Sequence, residues 1–117
     1  MSEISVLREL IYSDREKNVD RIRLEIANLI GKCLVEKRES LGYWEKSQFA
    51  GAIAALSQNV HEGGRDVGWL GLCLVSIEKA CTPPEKRSED FALIYKKIED
   101  LTYEQLIDDV RKLGGQV

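Results

Sequence analysis

Alternate steps of four and three from Phe49 land on Ile53, Leu56, Val60, Gly63, Val67, Leu70, Leu74, Ile77 and Cys81, and every position except Gly63 is apolar or cysteine. That period marks one face of an α-helix, because residues three and four apart stack on the same side. The stretch 49–81 is therefore held to helix, and the open point is what Gly63-Gly64 does within it. Two adjacent glycines each weaken a helix by about 1 kcal/mol relative to alanine. The run His61-Glu62-Gly63-Gly64-Arg65-Asp66 reads as a turn, with Asp66 placed to cap the helix that follows. The unbroken phase leaves a single kinked helix open as the alternative.

The same stretch is poor in charge. Residues 41–84 hold four acids and three bases, against 16 charges in residues 1–40 and 14 in residues 85–117. The centre of the chain reads as core and the flanks as its wrapping. Val67–Cys81 is the most apolar part, and a helix apolar nearly all round is enclosed by others or by a partner. Thr82-Pro83-Pro84 must stop it, since proline lacks the amide donor and restricts the residue before it. Ahead of it, Ala50, Gly51, Ala52, Ala54 and Ala55 give the third helix a small face on which a neighbouring backbone can approach closely.

The flanks carry amphipathic helices. Ile4, Leu7, Leu10 and Ile11 share one face of a short first helix; Ser13-Asp14-Arg15-Glu16 has the form of a capping box. Val19, Ile22, Ile26, Leu29 and Cys33, widened by Ile30 and Leu34, predict a second helix ending near Glu39, with Gly42 as terminator. Ser88-Glu89-Asp90 opens a helix with Phe91, Ile94, Tyr95, Ile98 and Leu101 on its face. Thr102-Tyr103-Glu104-Gln105 repeats the capping-box form before Leu106, Ile107, Val110 and Leu113. Gly114-Gly115 ends this last helix and begins a flexible tail. No strand-turn-strand pattern occurs. The expectation is an all-α, single-domain bundle of five or six helices over residues 1–117, with the Val67–Cys81 helix at the centre.

Motif chemistry is sparse. Neither phosphate-cradling glycine signature nor a Gly-x-Ser-x-Gly elbow occurs. Bundle metal centres use Glu-x-x-His pairs, and the residue three before the single histidine is Gln58. Glu36 and Glu39, at helical spacing amid Lys37 and Arg38, read as solvated helix face. Cys33, Cys73 and Cys81 form no close-spaced metal pair and read as small buried hydrophobes, so neither a metal nor another cofactor is expected. Every cluster of bases has acidic neighbours, as in Glu36-Lys37-Arg38-Glu39, and the formal net charge is −3. This disfavours nucleic-acid binding, which needs bases gathered on one face. Met-Ser-Glu-Ile-Ser lacks the basic start of a signal peptide, and the uncharged stretch from Val67 towards Glu78 is too short to span a bilayer. A cytoplasmic protein with reduced thiols, away from membranes, is the expectation.

Two regions remain as candidate sites. At the two-glycine segment, His61 has the chemistry of a general base, and Glu62, Arg65 or Asp66 can orient it or hold an anion; Gly63 and Gly64 would add free amides. Trp69 would wall such a pocket, and Trp44 reads either as an exposed binding anchor or as a core staple. The second region is acidic: Glu99, Asp100, Glu104, Asp108 and Asp109 would steer a basic partner.

The leading expectation is a non-enzymatic protein-interaction module, a small inhibitor of the physical type of bacterial immunity proteins, whose likeness here lies in size and charge and in no motif. One alternative is a small enzyme or ligand-binding regulator with a pocket around His61, Arg65 and Trp69. The other is a self-associating helical protein, a homodimer burying the Ala/Gly face or the apolar helix.

Overall fold

The computed structural model describes residues 3–13, 19–82 and 100–117. Within them lie five α-helices: α1 (Glu3–Ser13), α2 (Val19–Glu36), α3 (Tyr43–His61), α4 (Gly68–Cys81) and α5 (Tyr103–Lys112), with a 3-10 turn at Arg38–Ser40. No strand occurs among the described residues, and the protein is an all-α bundle. Of the capping box expected at Ser13–Glu16 only Ser13 is described, as the last residue of α1, and of the helix expected from Ser88 to Leu101 only Asp100 and Leu101, which are not helical; the prolines at 83 and 84 also lie outside the described residues.

One cluster of buried apolar side chains draws on every helix, including Leu7, Ile26, Phe49, Leu74 and Leu106. Complete burial of each such side chain contributes about 1.5–3 kcal/mol. Contacts at the helix ends give the topology. Glu3 of α1 meets Lys32 near the end of α2, and Arg8 of α1 meets Glu78 near the end of α4, so α1 runs opposite to both. Cys33 faces Cys81, and Val19 lies against Gly64 just ahead of α4, so α2 and α4 run in the same direction. Packing of α4 on α1, α2 and α3 gives it the interior position its apolar girth predicts, and α2 shares that role by touching every other described α-helix. Leu72 and Val75, however, stay exposed on α4.

Among the described helices α3 and α4 share the most extensive packing, for a reason written in their small side chains. Ala52 and Ala55 are buried between the helices, and the Cys73 thiol reaches the Ala52 carbonyl at 3.2 Å. That approach uses part of the Ala/Gly face for packing inside the bundle, leaving Gly51 and Ala54 exposed.

Gly63-Gly64 is a turn. Gly63 (φ 71°) and Gly64 (φ 80°) are both left-handed; the Gly64 amide donates to the Asn59 carbonyl at 2.8 Å and the Gly63 amide to that of Val60 at 3.0 Å. This is a Schellman closure, which consumes the last carbonyls of α3. Gly114-Gly115 closes α5 in the same way, with Gly115 donating to Val110 at 2.9 Å and Gly114 to Arg111 at 3.0 Å.

Three expectations change in detail. First, α2 stops at Glu36 because Lys37 to Ser40 bring no buried apolar side chain. Gly42, expected as its terminator, begins α3 instead: its extended backbone presents the amide to the buried Glu45 carboxylate at 3.2 Å. Second, Val60 is exposed, and Asn59 takes the buried place beside it. Third, the residues after Gly114, expected as a flexible tail, lie along α2, where the Gln116 amide donates to Asn28 Oδ1 at 2.7 Å and Val117 packs over Gly31.

Candidate functional site

The polar residues around the α3–α4 turn are brought together, and the turn itself uses them. Glu62 ends α3, and one of its carboxylate oxygens accepts from Gln58 at 3.0 Å while the other accepts from the Trp69 indole at 3.0 Å. Its main-chain carbonyl accepts from Arg65 Nε at 2.9 Å. Asp66 accepts from the Gly68 amide at 2.9 Å, which caps the first turn of α4 from just outside the helix. Buried Asn59 donates to the Asp66 carbonyl at 2.9 Å, and its Oδ1 has no partner among the described residues. Glu62, Asp66 and Trp69 are thereby tied into closing the hairpin.

His61 is left apart from them. It is exposed at the end of α3, with no hydrogen bond or ion pair to a described residue. Gly63 and Gly64, expected to offer free amides to an anion, spend them on the Schellman closure. Cys73 lies mid-hairpin, buried against Ala52, and is not a partner for His61. Burial pushes the Cys73 thiol up to about 12, so at neutral pH it is no nucleophile. Cys33 is likewise pushed up to about 12, first by burial and then by the neighbouring Cys81.

Trp44 spans the other end of the same helix pair. Half-buried at the start of α3, its indole N–H donates to the Lys79 carbonyl at the end of α4, 2.8 Å away. The two tryptophans thus bolt opposite ends of the same antiparallel pair and form no shared cage.

No family model, curated protein or solved structure matches this chain. Fold-level likeness therefore adds nothing to a functional assignment, which has to come from the site residues themselves.

The acidic residues of the second region have a different setting. Glu99 lies outside the described residues. Asp100, Glu104 and Asp108 are exposed, the last two one turn apart on α5. Glu104 sits 4.0 Å from Arg38, whose guanidinium covers the Tyr103 ring, and Asp108 pairs with Lys112 at 3.2 Å. Exposed pairs of this kind contribute little, typically under 1 kcal/mol. Asp109 is half-buried and faces a hollow of about 400 Å³ between α3 and α5, with Ala54, Ser57, Lys112 and Leu113 around it. A second hollow, of about 360 Å³, lies between α1 and α2 beside Glu3, Leu7, Asn28 and Lys32. Neither is lined by His61, Arg65 or Trp69. No group of three or more His, Cys, Asp or Glu positioned to share a metal ion occurs among the described residues, and no described helix is long and apolar enough to cross a membrane.

Buried Asn59 and the facing of Cys33 with Cys81 were not signalled by the sequence. An asparagine beside an apolar stripe has no local signature of burial, and the cysteines meet only because α2 and α4 run in the same direction.

Proposed function

We propose that this chain is a non-enzymatic module that binds another protein, and that Asp100, Glu104 and Asp108 steer a basic partner onto α5. The observation that carries this reading is the division of its carboxylates into two kinds. Beside the only histidine, Glu62 has both oxygens occupied and Asp66 caps a helix, so among the described residues neither neighbouring carboxylate is placed to orient His61 for base catalysis. On α5 Glu104 and Asp108 are exposed and held by exposed ion pairs, which a partner's bases can replace at small cost. A net charge of −3 on 117 residues favours the form of an inhibitor that covers a basic site, and the free thiols suit a reducing compartment such as the cytoplasm. Exposed Leu72 and Val75, one turn apart on α4, favour a second reading in which the chain also pairs with a copy of itself. Light scattering at two concentrations tests that second reading.

The leading reading is tested by affinity capture from cells of the source organism at low and high salt. Wild type should retain a basic protein at low salt and release it at high salt, and the Glu104→Lys/Asp108→Lys variant should retain none. Equal retention by both chains would overturn the reading.

A further inference from the structure

The three cysteines are free, and two of them, 48 positions apart in sequence, meet across the α2–α4 contact with their sulfurs 3.8 Å apart. Cys33 is buried in the last two turns of α2. Cys81 is half-buried and is the final residue of α4, so no further helical turn holds its backbone. Disulfide formation needs the sulfurs to close to about 2.05 Å. The remaining approach is short and falls at the end of α4.

We infer that Cys33 and Cys81 form a redox-active dithiol, which a hydroperoxide converts to an intramolecular disulfide joining α2 to the end of α4. The order of events follows from exposure. The Cys81 sulfur, as thiolate, attacks a peroxide oxygen; the O–O bond breaks, hydroxide leaves, and Cys81 becomes a sulfenic acid. The Cys33 sulfur then attacks the Cys81 sulfur; the S–O bond breaks, and the departing hydroxide takes the Cys33 proton as water. Two thiols and one hydrogen peroxide give one disulfide and two waters, with the two electrons passing from sulfur to peroxide. Cys33 does not act first, because burial and then the neighbouring Cys81 hold it protonated. Cys73 serves as the internal control: fully buried and hydrogen-bonded to Ala52, it has neither access to the oxidant nor a thiol partner.

The test treats the full chain with hydrogen peroxide, alkylates the remaining thiols and maps tryptic peptides by mass spectrometry. The expected product is a chain two hydrogens lighter, with Cys33–Lys37 linked to Ala80–Lys86 and the Cys73 peptide alkylated as a free thiol. The link should vanish in Cys81→Ser and in Cys33→Ala and persist in Cys73→Ser. Oxidised wild type should also melt roughly 10 °C higher than reduced, as expected for a cross-link closing a loop of this length, and dithiothreitol should reverse the shift. Over-oxidation of Cys81 with Cys33 still alkylated, linkage to Cys73, or disulfide-bonded dimers would each overturn the inference.

Discussion

The indole N–H of Trp44 lies 2.8 Å from the main-chain carbonyl oxygen of Lys79, and it fastens the start of α3 to the end of α4. At the other end of the same helix pair, Trp69 donates to the Glu62 carboxylate at 3.0 Å. Two large aromatic rings therefore close a hairpin whose middle is built from alanine and cysteine, where little side-chain bulk is available to hold the helices together.

Replacement of either tryptophan by phenylalanine keeps most of the ring and removes the donor. Trp44→Phe should cost about 1 kcal/mol in urea unfolding, the usual net value of one hydrogen bond. Trp69→Phe should cost as much or somewhat more, because its acceptor is charged but only half-buried. In a double-mutant cycle with Glu62→Gln, the Trp69 effect should couple by about 1 kcal/mol; additive losses would show that the 3.0 Å contact contributes nothing.

The two left-handed glycines of the α3–α4 turn should respond differently to alanine. A Cβ on Gly63 meets open space, so Gly63→Ala should cost only the backbone penalty of about 1–2 kcal/mol. A Cβ on Gly64 would stand 2.6 Å from Val19 Cγ1, and Gly64→Ala should cost about 2–4 kcal/mol. Val19→Ala should recover part of the Gly64→Ala loss. Equal costs at the two glycines would contradict the close approach of this turn to α2.

Much of this fold could be read from residue spacing, and the exceptions share a cause. Helices α2 and α5 follow their stripes of isoleucine and leucine because large side chains there are also the buried ones. In α3 the buried face is rotated toward Ala52, Ala55 and Asn59, leaving Val60 outside, because α4 seats on the small side chains. Hydrophobicity ranks valine above alanine, whereas packing at short interhelical distance selects the reverse. The acidic side of α5 was legible, since Leu106, Ile107 and Val110 face inward and turn Glu104 and Asp108 out. The roles of Glu62 and Asp66 were not, because a carboxylate that caps or braces a turn has the same local sequence as one that serves a histidine.

Alkaline pH should weaken the fold through its buried thiols. Burial pushes Cys73 from 9.0 up to about 12, so between those values the unfolded chain releases a proton that the folded chain retains. The stabilising contribution is complete below pH 9 and is lost as pH rises towards 12, by about 1.4 kcal/mol per pH unit for a fully protected thiol. Cys73→Ser keeps a donor for the Ala52 carbonyl and removes this titration. Urea midpoints measured at pH 8, 9 and 10 should therefore fall less steeply in Cys73→Ser than in wild type, and parallel declines would contradict the prediction.

The most direct test of the binding account is calorimetric titration of the captured basic partner into wild type, Glu104→Lys/Asp108→Lys and His61→Ala. The account predicts unchanged affinity for His61→Ala and a loss of tenfold or more, about 1.4 kcal/mol or greater, for the α5 charge reversal. Full affinity in the charge-reversed chain, with binding lost in His61→Ala, would contradict it and move the site to the end of α3.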